Sequence, residues 1–225
     1  MSGAGLKITN LTIWSGKQKI IDQLDLTIAN GEQVALFGAN GAGKTSLLQA
    51  IMGIGDYKIK GEIGFNGVDL LKLSIDRRAR AGLGLFFQDP PTVKNLKTGV
   101  LAAHLPGNLP TDLHVEKFLS RGLNVGLSGG EKKRLELAQL MGLNPQFWLI
   151  DEIDSGVDQD NLVLIGTKLR QSLINKSALL VSHNHQIFNF LNVNRAIVLK
   201  HGRIVADDKF TIITDRLKRG GYGQF

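Results

Sequence analysis

Residues 34–53 read VALFGANGAGKTSLLQAIMG, and this stretch constrains the fold more tightly than any other. Val34 to Phe37 form a short apolar run that ends at glycine, the pattern of a buried strand. Gly38 to Thr45 then match G-x-x-x-x-G-K-[ST] in full, and a helical segment opens directly behind them. A strand, a glycine loop and a helix N-terminus in that order turn several backbone N–H groups towards one point, which suits phosphate oxygens. Gly38, Gly41 and Gly43 free the backbone to do this, with Asn40, Ala42 and Ser46 making up the rest of the cradle. Lys44 is expected to neutralise the β- and γ-phosphates, and the Thr45 hydroxyl to ligate Mg²⁺.

A phosphate loop needs a carboxylate for the metal, and FWLIDE at 147–152 supplies one after four apolar residues. Asp151 then stands at the C-terminal end of a buried strand, placed to hold the Mg²⁺ shell. Glu152 follows on the other side of the strand, placed to orient or deprotonate an attacking water. Adjacent carboxylates are by themselves also common as loop residues or caps; the glycine loop upstream is what favours the catalytic reading.

The remainder alternates strands with helices. Leu6 to Trp14 and Ile20 to Ile28 alternate apolar and polar residues, as half-buried antiparallel strands do. GEIGFNG and LGLFF (83–87) suggest further strands, and a helix is expected from about 129 to 143. A strand at 147–151, a helix at 161–174, a strand at 178–182, a helix near 185–191 and two strands at 195–200 and 203–207 complete the series. This rhythm implies a largely parallel sheet covered on both faces. Between Asp89 and Asn124, Pro90, Pro91, Pro106, Pro110 and several glycines break the chain into short pieces, read as two short helices near 94–104 and 112–119.

The composition narrows the function classes. With 43% hydrophobic residues in 225 the chain can pack one sizeable core. It has 0 cysteines, which excludes disulfides, thiolate metal sites and cysteine nucleophiles and favours a reducing, cytoplasmic setting. The opening MSGAGLKITN lacks the anatomy of a secretory signal, and the longest stretch free of Lys, Arg, Asp and Glu, 177–194, is too rich in Asn, His and Ser to span a bilayer. The net charge of +7 gathers at Arg77, Arg78 and Arg80, at 132–134, and at Arg216, Lys218 and Arg219, where solvated surface or an acidic partner is expected.

One octapeptide remains, LSGGEKKR at 127–134. Ser128 followed by Glu131 forms a capping box, while Gly129 and Gly130 leave the first-turn N–H groups uncovered. The result is a second helix start receptive to an anion.

With the phosphate loop, the DE pair and LSGGE together, the chain resembles the ATP-binding cassette (ABC) ATPases along nearly its whole length. The resemblance implies a P-loop NTPase α/β core with a mostly parallel sheet, an N-terminal antiparallel β lobe and a small α-helical lobe. All 225 residues then form one domain, with 1–88 and 145–225 as catalytic core and about 89–144 as the helical lobe. It also implies roles for single residues. Gln88 would sense the γ-phosphate, Mg²⁺ and water, and His183, rather than its neighbour His185, would contact the γ-phosphate. Trp14 would stack on adenine, with packing in the strand-rich lobe as its alternative. DSGVD at 154–158, through Asp158, would touch an opposite subunit whose nucleotide is completed by Ser128 and Gly130. Two copies would then enclose two ATP molecules, catalysis resting on Lys44, Gln88, Glu152 and His183 and the metal on Thr45, Gln88 and Asp151.

Within the family, NVGLSGGEKKR, DEIDSGVD and RRARAGLGLFFQ resemble the members that serve iron–sulfur cluster assembly. That subfamily implies a scaffold protein as partner. The alternatives are the nucleotide-binding subunit of a membrane transporter, whose partner is a permease, and an ATP-gated clamp on nucleic acid.

Overall fold

The computed structural model of the chain describes residues 5–182 and 185–225. His183, expected to contact the γ-phosphate, lies outside the described residues.

Alternating apolar residues make β1 (Leu6–Ser15) and β2 (Gln18–Ile28) an antiparallel hairpin with one face buried, and Val34 to Phe37 bury all but the first position of β3 (Gln33–Phe37). The phosphate loop leads into α1 (Lys44–Met52), after which β4 (Lys58–Phe65) returns to pair with β1 and carries the short β5 (Val68–Asp69). A short α2 (Ile75–Arg80) precedes β6 (Leu83–Phe86). The proline-rich segment holds β7 (Val93–Lys97), α3 (Thr98–Ala102) and β8 (Gly122–Leu123). Next come α4 (Gly129–Leu143), β9 (Phe147–Asp151), α5 (Gln159–Ser172) and β10 (Ser177–Val181). The hairpin β11 (Arg195–Lys200) and β12 (Arg203–Lys209) leads into α6 (Phe210–Gly220).

The main sheet has the order β12-β11-β3-β10-β9-β6, parallel except for the antiparallel β12 edge, and a second, antiparallel sheet has the order β2-β1-β4-β5. Every residue of β9 and β10 is buried, as both faces of a parallel sheet require. Leu149 and Leu179 pack on the side of α1 and the antiparallel sheet, while Trp148, Ile150 and Leu180 pack on the other, against Leu135 and Leu137 of α4 and Leu162 and Ile165 of α5. Leu36 is level with Val181, Val181 with Asp151, and Phe86 with Ile150. The phosphate loop, Asp151–Glu152 and Phe87–Gln88 therefore leave the sheet along one C-terminal edge, where open α/β sheets bind ligands.

Three local expectations change. Lys94 to Lys97 belong to β7, which pairs with β8, so the helix expected over 94–104 shrinks to α3. The helix expected over 112–119 is two 3₁₀ turns, Thr111–Leu113 and Glu116–Phe118, because His114 between them is left-handed at φ 52°. The basic groups are not all solvated. Arg78 is buried and donates to the carbonyls of Leu73, Ala50 and Ile51, closing the end of α1, and Lys133 is buried beneath β6. The sequence reading sets no element for α2 and α6; Phe210, Ile213 and Leu217 give α6 an apolar stripe towards the core.

Candidate active site

The C-terminal edge of the sheet encloses a cavity of about 720 Å³. Asn40, Gly41, Gly43, Lys44, Thr45 and Ser46 form one wall, and Gln88 and Glu152 stand across from them. The loop's shape depends on its glycines. Gly43 caps α1 at φ 104°, and a Cβ there would lie 2.8 Å from the Ile21 side chain; a Cβ on Gly38 would lie 2.5 Å from the Leu199 carbonyl oxygen.

Lys44 is almost fully buried and donates to the Gly38 carbonyl at 2.7 Å and the Ala39 carbonyl at 3.1 Å. Burial lowers its pKa, against the pull of Glu152 and Asp151. An ammonium held by two carbonyls at the cavity wall is available to an anion that satisfies it better.

Asp151 is 3% exposed, and its Oδ1 has no hydrogen-bond partner among the described residues. Burial raises its pKa, opposed by the Thr45 hydroxyl and by the charges of Lys44 and Lys133 and reinforced by Glu152. A buried carboxylate oxygen left unpaired beside a hydroxyl is the donor set of a hard cation, so Thr45 and Asp151 fit Mg²⁺.

Glu152 has a left-handed backbone, φ 47°, uncommon for a residue with a side chain. Its N–H donates to Val181 O at 2.9 Å, and its Oε2 accepts from Gln88 Nε2 at 2.7 Å. The turn carries the carboxylate off the strand into the cavity, where the glutamine amide holds it.

Ser128, Gly130 and Asp158 lie outside this cavity. Ser128 caps α4 as a full capping box: its Oγ accepts from Glu131 N at 3.3 Å, and Glu131 Oε2 accepts from Ser128 N at 3.0 Å. The backbone bond from Ser128 holds the Glu131 carboxyl below the usual range. Asp158 caps α5 by accepting from Asn161 N and Nδ2, each at 2.8 Å, and Asn161 also packs on Gly130. Ser128 and Asp158 are exposed and Gly130 is buried beside them, a second cluster on the same chain.

Trp14 does not line the cavity either. It is half-buried with the Lys58 ammonium 5.8 Å from its ring centre, and its cross-strand partner Lys19, together with Gln18 and Ile20, lines the wall.

Other residues were not singled out by sequence. His201 and Gly202 line the cavity because the β11–β12 turn locks onto β2 through Asp22 N to Gly202 O at 3.0 Å and a two-pronged Arg203–Asp22 contact. Lys133 and Glu136 are buried on α4 and hold the backbone of residues 87 and 88. Charged residues three apart among the apolar positions of a helix are the signal that would have found them.

A family model described as ABC transporter matches residues 21–155, and the chain belongs to this family of ATP-binding proteins. Its relatives include proteins of two kinds. A probable ABC transporter ATP-binding protein of Streptococcus pyogenes serotype M3 is 34% identical, covering 96% of this chain and 93% of that one. The iron–sulfur cluster assembly protein SufC of Plasmodium berghei is also 34% identical, over 93% of this chain and 64% of that one, and the Plasmodium falciparum SufC is 33% identical, over 93% and 67%. Among solved structures, the dimeric ATP-binding cassette MJ0796 bound to ADP and phosphate superposes with a TM-score of 0.76 at 22% identity, covering 91% of this chain and 98% of that one. At that identity the likeness establishes the ABC ATPase fold.

Proposed function

We propose that the chain is a SufC-like ATPase that dimerises around two Mg-ATP molecules and thereby reshapes a SufB/SufD-like scaffold during iron–sulfur cluster assembly. One observation carries the enzymatic part: the cavity gathers the phosphate loop, Gln88 and Glu152, while the other anion-receptive helix start, at Ser128, stands exposed outside it. A second copy related by a two-fold axis supplies what each site lacks, Ser128, Gly130 and Asp158.

In this reading Lys44 exchanges the Gly38 and Ala39 carbonyls for β- and γ-phosphate oxygens, and the N-terminus of α1 adds its N–H groups. Thr45, Asp151 and Gln88 would hold Mg²⁺, which would supply positive charge beside the transferred phosphoryl group. Glu152, aimed by Gln88, orients the attacking water and takes up its proton. His183 contacts the γ-phosphate, and Trp14 stacks on adenine from the hairpin flanking the cavity. Catalysis is positioning and charge neutralisation.

The assembly role is supported by NVGLSGGEKKR and DEIDSGVD and by the two SufC relatives. With 0 cysteines the chain offers no thiolate for a cluster, so a partner holds it. Among the described residues no helix is long and apolar enough to cross a membrane, and the reading places the protein in the cytoplasm. The transporter reading, with permease partners, is favoured by the Streptococcus relative at equal identity. The nucleic-acid clamp loses Arg78 and Lys133 to the interior.

Glu152→Gln is expected to trap a dimer on Mg-ATP, read by light scattering; a variant that stays monomeric at saturating nucleotide overturns the two-copy site. Affinity purification from the native cell separates the roles, a cluster scaffold supporting assembly and a multi-pass permease supporting transport.

A further inference from the structure

We propose that Glu136 is a positioning residue for Gln88, holding the peptide that follows β6 so that the glutamine amide reaches Glu152. The proposal rests on Glu152 as the water-orienting carboxylate and adds the residue that sets its partner in place.

β6 pairs with β9 only as far as Phe86 opposite Ile150. Beyond that point α4 takes over the backbone. Glu136 is 7% exposed, and its Oε1 accepts from Phe87 N–H at 2.6 Å. Lys133, one turn earlier, donates to Phe87 O at 2.8 Å and Gln88 O at 2.6 Å, with its ammonium 4.8 Å from the centre of the Phe86 ring. The N–H and C=O of Phe87 and the C=O of Gln88 are thus held from one helix, and the next contact outwards is Gln88 Nε2 to Glu152 Oε2 at 2.7 Å.

Packing does not require a carboxylate there. Burial pushes Glu136 up to about 8, and its Oε2 has no hydrogen-bond partner among the described residues. Desolvating such a group is costly, and what it supplies in return is a fixed N–H acceptor at the strand's end. The same helix begins at Ser128, eight residues or about 12 Å away at the usual helical rise. A rigid α4 therefore links whatever anion Ser128 engages to the set of Gln88 in its own chain.

The test uses Glu136→Met, which removes the acceptor, Glu136→Asp, which shortens it but keeps a carboxylate beside Lys133 if the Met variant folds poorly, and Glu136→Gln, which keeps an acceptor of the same reach. The Met and Asp variants are expected to lower kcat by about tenfold with the Kd for a fluorescent ATP analogue within about twofold, and the Gln variant to stay within about twofold of wild type in both. In a Gln88→Ala background the Met or Asp change should alter kcat by less than about twofold, because the group it positions is gone. An equal loss in both backgrounds, or affinity falling in step with turnover, overturns the proposal. In the nucleotide-free protein the Gln88 side-chain amide resonances should move in the Met and Asp variants and stay in the Gln variant. Unmoved resonances throughout overturn the proposal whether or not the chain turns over ATP, whereas a wild type without Mg-ATPase activity sinks the hydrolytic reading alone.

Discussion

Asp151→Asn should make the nucleotide-free protein more stable and the Mg-ATP-bound protein less so. The carboxylate is 3% exposed and its Oδ1 has no hydrogen-bond partner among the described residues, with burial outweighing its attraction to Lys44 and Lys133. An unsatisfied buried polar group costs about 1–3 kcal/mol, and because the new amide is itself imperfectly paired, about 1 kcal/mol is the expected gain. For a chain of this size that raises Tm by about 2–4 °C. The pH dependence has a definite sign. A carboxyl whose native pKa lies above its unfolded value of 3.8 penalises folding increasingly as pH rises from 3.8 and in full above the native pKa, so the variant's advantage grows as pH rises and closes as pH falls towards 3.8. Ligand acts the other way. At about 100 Kd of Mg-ATP the wild type gains about 2.7 kcal/mol, and the variant, lacking the metal carboxylate, should gain little. Differential scanning fluorimetry with Mg²⁺ alone, with ATP in EDTA and with Mg-ATP separates the contributions. A nucleotide-free variant less stable than wild type at pH 7 would refute the claim that this carboxylate stands ready for a cation, since its native contacts would then be stabilising.

The remaining expectations are simpler. Arg78→Met removes donors at 2.8, 2.9 and 3.0 Å from the carbonyls of Ala50, Ile51 and Leu73, and should destabilise by about 3 kcal/mol in urea titration with the m-value unchanged. Ser128→Ala should cost about 1 kcal/mol of stability through its cap and should also abolish ATP-dependent dimer formation in the Glu152→Gln background, measured by size exclusion. Glu136, with a native value of about 8 against 4.5, should lower stability as pH rises between those values, so Glu136→Gln should flatten the Tm profile there, overtaking wild type at pH 8 and matching it near pH 5.

Much of the site was legible because its motifs are local. GANGAGKT needs only its own glycines and the helix behind it, and the capping box at 128–131 is set by residues three apart. The short apolar strands were equally plain, since a buried parallel strand carries no polar residue until it reaches the edge. The 94–119 segment was less legible: β7 depends on pairing with β8, whose two residues give almost no pattern, and a left-handed His114 splits what its composition suggests is one helix.

By itself the sequence determined a strand–loop–helix junction of a shape that suits phosphates, because backbone N–H groups, a lysine and a hydroxyl at fixed spacing are all that cradle requires. Only the tertiary structure decided that Lys133 and Arg78, two cations in basic-looking runs, are interior fasteners. It also decided that Gln88 meets Glu152, and that Ser128 stands apart from the cavity. Those outcomes depend on which strand lies beside which and how far each ladder runs, distances of ångströms between residues dozens of positions apart, which no local spacing encodes.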